Sequence, residues 1–142
     1  MRMLRLLALT TALVCTAALA AGTADASSTV HCQPRSIGPG SLLKGGKQGA
    51  ACILAAFRNG CRPAEYVLSS FGIDTAATEN FRVEKNGARC GVVVITSFRV
   101  LPQVAKVFPP RTCTRVRKIG ADVVADRCTA GTPTAISLTD LR

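Results

Sequence analysis

Enzyme chemistry needs a nucleophile with a base, paired carboxylates, a set of metal ligands or a cradle for phosphate. The chain has one histidine, His31, and it lies ahead of the first periodic element. Ser–His and Cys–His arrangements therefore lack a well-placed base. No C-x-x-C occurs, so a zinc site is not expected either. The carboxylates Glu65, Asp74, Glu79 and Glu84 fall on a strand, a bend and a hairpin, with Glu84 set against Arg89. Nothing in their spacing makes any two an acid and base pair. Asp74 and Thr75 suit the capping of a bend after a strand. The stretch "GPGSLLKGGKQG" lacks both phosphate-binding glycine patterns and reads as a loop. No cofactor or metal is expected. What remains is cysteine and arginine, and "CTRVRKIGADVVADRC" (113–128) concentrates both.

The first residues combine Arg2 and Arg5, an apolar run from Leu6 to Ala21, and the triplet Ala24-Asp25-Ala26. That order is the secretory-signal pattern, and it turns polar too early for a membrane span. Residues 1–26 are read as a leader cut after Ala26, with Ala20 as the second choice. Val14 fits poorly ahead of a lipid-bearing Cys15. Removing Arg2, Arg5 and Asp25 from a formal charge of +10 leaves the mature chain at about +9. Arginine outnumbers lysine and alanine is abundant, which suits a high-GC bacterial genome. Of 7 cysteines, all but Cys15 remain after export, an even set that reads as three disulfides in an oxidising compartment.

The elements that would position these residues follow from periodicity. Residues 27–46 are rich in Ser, Gly and Pro and read as an extended arm pinned by Cys32. "KQGAACILAAFRNG" sets Ala50, Ile53, Leu54 and Phe57 on one helical stripe, with Arg58 in the last turn and Gly60 as the stop. "AEYVLSSF" (64–71) reads as a strand, and "GIDTAATE" (72–79) as a loop or bend. "NFRVEKNGARCGVVVITSFRV" (80–100) reads as a hairpin closing on Asn86-Gly87, which sets Val83 opposite Cys90 and Phe81 opposite Val92. Phe81, Val83, Cys90, Val92, Val94, Phe98 and Val100 then share the core face, and Arg82, Glu84, Arg89, Ser97 and Arg99 the other. "LPQVAKVFPP" ends the long strand. A second hairpin with Gly120-Ala121 at its tip pairs Cys113 with Cys128, Arg115 with Asp126 and Arg117 with Val124. Residues 47–128 form the expected domain, and 129–142 a polar, lightly docked tail.

Cys113–Cys128 is the disulfide this register supports best. An antiparallel meander brings Cys61 and Cys90 to one end of the sheet, leaving Cys32 to tie the arm to Cys52. Cys52–Cys61 is disfavoured because the intervening helix would separate their α-carbons by roughly 13 Å.

The expected fold is α+β, with one N-terminal helix packed on an antiparallel β-meander of about four to five strands. Its order resembles the helix-then-meander plan of cystatin-like proteins in topology alone. "PQVAKV" (102–107) lacks the glycine of the inhibitory Q-x-V-x-G loop and follows the wrong strand, so no inhibitory residue is carried over.

Arg82, Arg89, Arg99, Arg115, Arg117 and Lys118 form the candidate anion-binding surface, with Arg117 and Lys118 the two left open to a partner. Nucleic acid is a poor fit, since there is no Trp and a single Tyr to stack bases. The expectation is a small secreted, disulfide-stabilised, non-catalytic module that binds an unknown protein or an anionic envelope component. The alternatives are a hydrolase or nuclease with a hidden carboxylate and arginine site, and electrostatic attachment to anionic envelope polymer. A concave pocket with two carboxylates and nearby arginines would favour the enzyme, and dispersed charges on a convex sheet the binder.

Overall fold

A computed structural model describes residues 28–39, 45–129 and 133–140. The expected leader and Cys15 lie outside the described residues. The elements run β1 (Val30–His31), β2 (Arg35–Ile37), α1 (Gln48–Arg58), β3 (Ala64–Phe71), β4 (Thr75–Asn86), β5 (Arg89–Val100), β6 (Lys106–Val107), β7 (Arg111–Ile119), β8 (Asp122–Cys128) and β9 (Ala135–Ser137). All nine strands join one sheet ordered β1-β3-β4-β5-β7-β8-β9, with β2 also on β3 and β6 on β5. The fold is α+β, and the sheet is larger than the expected meander. Its four extra strands, β1, β2, β6 and β9, are two or three residues long. β1 and β2 pair in parallel with β3, so the arm is part of a mixed sheet.

α1 carries its apolar stripe as the spacing predicts: Ala50, Ile53 and Leu54 are buried and Phe57 packs partly against the core. Arg58 lies in the last turn, and Gly60 follows with φ +77°. The first turn of α1 fits only because residue 49 is glycine: a Cβ there would collide with the Gln33 carbonyl and the Tyr66 ring.

Both long hairpins close on Gly-Ala. In β7–β8 the tip is Gly120-Ala121, with Arg115 opposite Asp126 and Cys113 opposite Cys128. In β4–β5 the expected Asn86-Gly87 tip is corrected to Gly87-Ala88, because Asn86 pairs with Arg89, Val83 with Val92 and Phe81 with Val94. Gly87 and Gly120 have φ of +61° and +58°, and neither following alanine is positive. That sequence of dihedrals is the type II′ pattern, which asks for glycine only at the first tip position. The register moves by two residues, so every side chain keeps its expected face.

Three further expectations are corrected. Of "GIDTAATE" only 72–74 is loop, because Thr75 to Glu79 pair with β3 on one side and β5 on the other. The segment expected as a lightly docked tail is more firmly held over 133–140: β9 pairs with β8, and Ile136, Leu138 and Thr139 are buried. Phe98 keeps the core-face parity but is 41 % exposed, as α1 covers only the other end of the sheet. Phe71, Ile73 and Val107 are exposed at the same uncovered end.

The disulfides are Cys32–Cys52, Cys61–Cys90 and Cys113–Cys128, the pairs that the sheet ends and the second hairpin favour. Among the described residues no helix is long and apolar enough to cross a membrane.

Candidate functional site

The register arranges the helix-side face of the sheet in rows. Ala64, Val83, Val92 and Cys113 form one row, and all are buried. Tyr66, Phe81, Val94 and Arg111 form the next, with the Tyr66 and Phe81 rings stacked at 5.7 Å. The third row is Arg35, Leu68, Glu79 and Thr96. An apolar layer under α1 thus gives way, within two rows, to polar side chains.

Those side chains are poorly satisfied. Glu79 is 7 % exposed and, among the described residues, its Oε2 has no hydrogen-bond partner. Its cross-strand neighbour Thr96 has a buried, unpartnered Oγ1. Arg35 is 8 % exposed, and its Nε and Nη1 are likewise unpartnered while Nη2 reaches Asp140 Oδ1 at 3.4 Å. The buried Tyr66 hydroxyl has no partner. Buried polar atoms in proteins are almost always paired with protein or with water.

A cavity of about 420 Å³ opens beside this row. Ile119, Val124, Pro133, Ala135 and Ile136 supply its apolar walls, and Glu79, Arg111, Asp122, Ser137 and Asp140 its polar groups. Residues of β7, β8 and β9 line this space together with Glu79 of β4. Asp122 accepts hydrogen bonds from Lys47 Nζ at 3.3 Å and from Thr139 Oγ1 at 2.9 Å. Asp140 is tied to Arg35, and its backbone N–H donates to Ser137 Oγ at 3.2 Å. Arg111 Nη1 donates to the Pro133 carbonyl at 3.2 Å.

Burial pushes the Glu79 carboxyl up to about 7, against the pull of the Arg111 charge. Burial also pushes the Tyr66 phenol up to about 12, with Arg35 opposing and Asp140 adding to the rise. Tyr66 is therefore neutral, and Glu79 changes charge near physiological pH.

The candidate anion-binding residues are not gathered into one patch. Arg82, Arg89 and Arg99 share the far face, as expected, but Arg89 and Arg99 sit near opposite ends of β5, about 33 Å apart along the strand. Arg82 Nε lies 3.5 Å from Glu65 Oε1. On the second hairpin Asp126 accepts from Arg115 Nε and from Arg115 Nη2 at 2.9 Å, and also from Arg117 Nε at 2.7 Å. These bonds, Arg115 first, hold the Asp126 carboxyl below its usual range. The expectation that Arg117 stays open is thereby corrected, since the diagonal across the hairpin brings it to Asp126. Lys118 pairs with Val123 and is exposed.

The cavity escaped the sequence reading because its polar lining joins β4, β7, β8 and the chain end. One signal was available: Glu79 has the strand parity of Phe81 and Val83, which places a carboxylate on the core face. Among the described residues no three His, Cys, Asp or Glu side chains group as a metal site requires. Comparison with protein-family models, with curated proteins and with solved structures found no match, so the cavity's chemistry is read from its own residues.

Proposed function

We propose that the chain is a secreted, disulfide-held binding protein that takes a small ligand into the cavity beside Glu79. The observation that carries this reading is a buried carboxyl oxygen, without a hydrogen-bond partner among the described residues, beside a roomy space with both apolar and polar walls. Ligand sites are typically cavities of about 300–1,000 Å³ with apolar walls and a few placed polar groups. Three disulfides suit an oxidising compartment, in keeping with export.

Native mass spectrometry of protein made in an oxidising host tests the reading. A retained small molecule is expected, and Ala135→Phe, which puts a ring on the cavity wall, should lose it with melting unchanged. Wild type and variant that bind nothing in common growth extracts, or bind alike, would contradict it.

A hydrolase is the second reading. It draws on Glu79, a carboxyl at about 7, sharing the cavity with Asp122, Asp140 and Arg111. That set places a carboxylic acid beside two further carboxyl groups and a guanidinium. Against it, Asp140 and Asp122 are each engaged by a cation, Arg35 and Lys47. Turnover abolished by Glu79→Gln with ligand still bound would favour the hydrolase. Attachment to anionic envelope polymer is the third reading, and the separation of the far-face arginines along the sheet weakens it.

A further inference from the structure

We infer that the cavity is selective for a small apolar carboxylate, whose anionic end sits between Arg111 and Glu79 and whose hydrocarbon body lies against the β7–β9 wall. This rests on the cavity being a ligand site and names the class of ligand.

The charges around the cavity mostly cancel in pairs. Asp140 from the chain end faces Arg35 from β2, and Asp122 from β8 faces Lys47 ahead of α1. Tyr66 on β3 carries no charge. Arg111 on β7 is the exception: among the described residues its only polar contact is the Nη1 bond to the Pro133 carbonyl. A guanidinium has five N–H donors in a planar fork, so Arg111 keeps donors for a carboxylate. The Glu79 carboxyl, when protonated, adds a further donor on the same side.

Charge count sets the ligand's valence. With Glu79 neutral, the described residues around the cavity carry one positive charge without an ion-pair partner, that of Arg111, which one carboxylate cancels. A dianion would leave an excess negative charge beside Asp122 and Asp140. An amine would sit next to Arg111 and would have to ionise Glu79, which burial opposes. The walls decide the rest: Ile119, Val124, Pro133, Ala135 and Ile136 offer nothing to a polar body and an apolar surface to an aliphatic one.

Calorimetric titration of the disulfide-bonded mature protein with octanoate, octylamine and octanol tests the inference. Octanoate should bind at least tenfold more tightly than either analogue. Its affinity should fall about 30-fold between about pH 5.5 and about pH 8.5, following the protonated fraction of a group titrating at about 7. Glu79→Gln keeps a neutral N–H donor and should flatten that dependence. Arg111→Gln should weaken octanoate at least tenfold at every pH while leaving octanol unchanged, a split that misfolding would not produce.

Tighter binding of octylamine, or octanoate affinity that rises with pH, would overturn the carboxylate assignment and leave the ligand cavity standing. Equal binding of all three probes would do the same. Binding of none of them, with no effect of Ala135→Phe on any retained molecule, would overturn both.

Discussion

Glu79 is the residue on which the account turns, and its environment makes a statement about stability as well as ligand binding. A carboxyl whose folded value is about 7, against an ordinary 4.5, holds its proton more tightly in the folded state. Stability from this group is therefore full below the unfolded value and is lost as pH rises toward 7. The span corresponds to about 3 kcal/mol for a group this buried. In urea unfolding, Glu79→Gln should remove most of that decline and be the more stable protein at about pH 8. An unchanged pH slope in the variant would show that Glu79 titrates normally. Asp126 acts in the opposite sense: held low by Arg115 and Arg117, it supports the fold above its ordinary range and loses that support as pH falls through its lowered value. Neither role could be read from residue type. Both aspartate and glutamate look like surface charges until register shows which face they occupy and which arginines reach them.

At the scale of elements, legibility followed the strength of local pattern. α1 was readable because four apolar residues keep helical spacing and Gly60 stops it. The β7–β8 hairpin was readable to the residue because one glycine-led turn and two cysteines agree on a single register. β4–β5 was readable in its faces but not in its pairing, since a shift of two residues leaves every face unchanged and the type II′ turn competes with the Asn-Gly signal. The short strands β1, β2, β6 and β9 have two or three residues each, too few to show a period. β9 exists because Ile136 and Leu138 find buried places once β8 is present to pair with. The tightest seam between elements is Gly49 of α1 against Tyr66 of β3 and the Gln33 carbonyl. Gly49→Ala should destabilise by about 1–3 kcal/mol through overpacking. Denaturant titration should show a lower midpoint at an unchanged slope, and a wild-type midpoint would mean that α1 sits further from β3 than the structure has it.

For the whole molecule the question is which surface meets a partner. A formal charge of +10 suggests attraction to polyanions, yet the structure spreads the far-face arginines along the sheet and answers Arg82, Arg115 and Arg117 with Glu65 and Asp126. Charges about 33 Å apart act independently where the screening length is about 8 Å. The helix side instead gathers unpartnered polar atoms, one uncompensated arginine and an apolar wall around a single space. Binding in the cavity and attachment through the far face therefore predict different footprints. Backbone amide NMR during titration with octanoate separates them. Saturable shifts confined to Glu79, Arg111, Ile119, Val124 and Ala135 and their neighbours are expected, whereas shifts centred on Arg82, Arg89 and Arg99, or none that saturate, would contradict the cavity as the binding site.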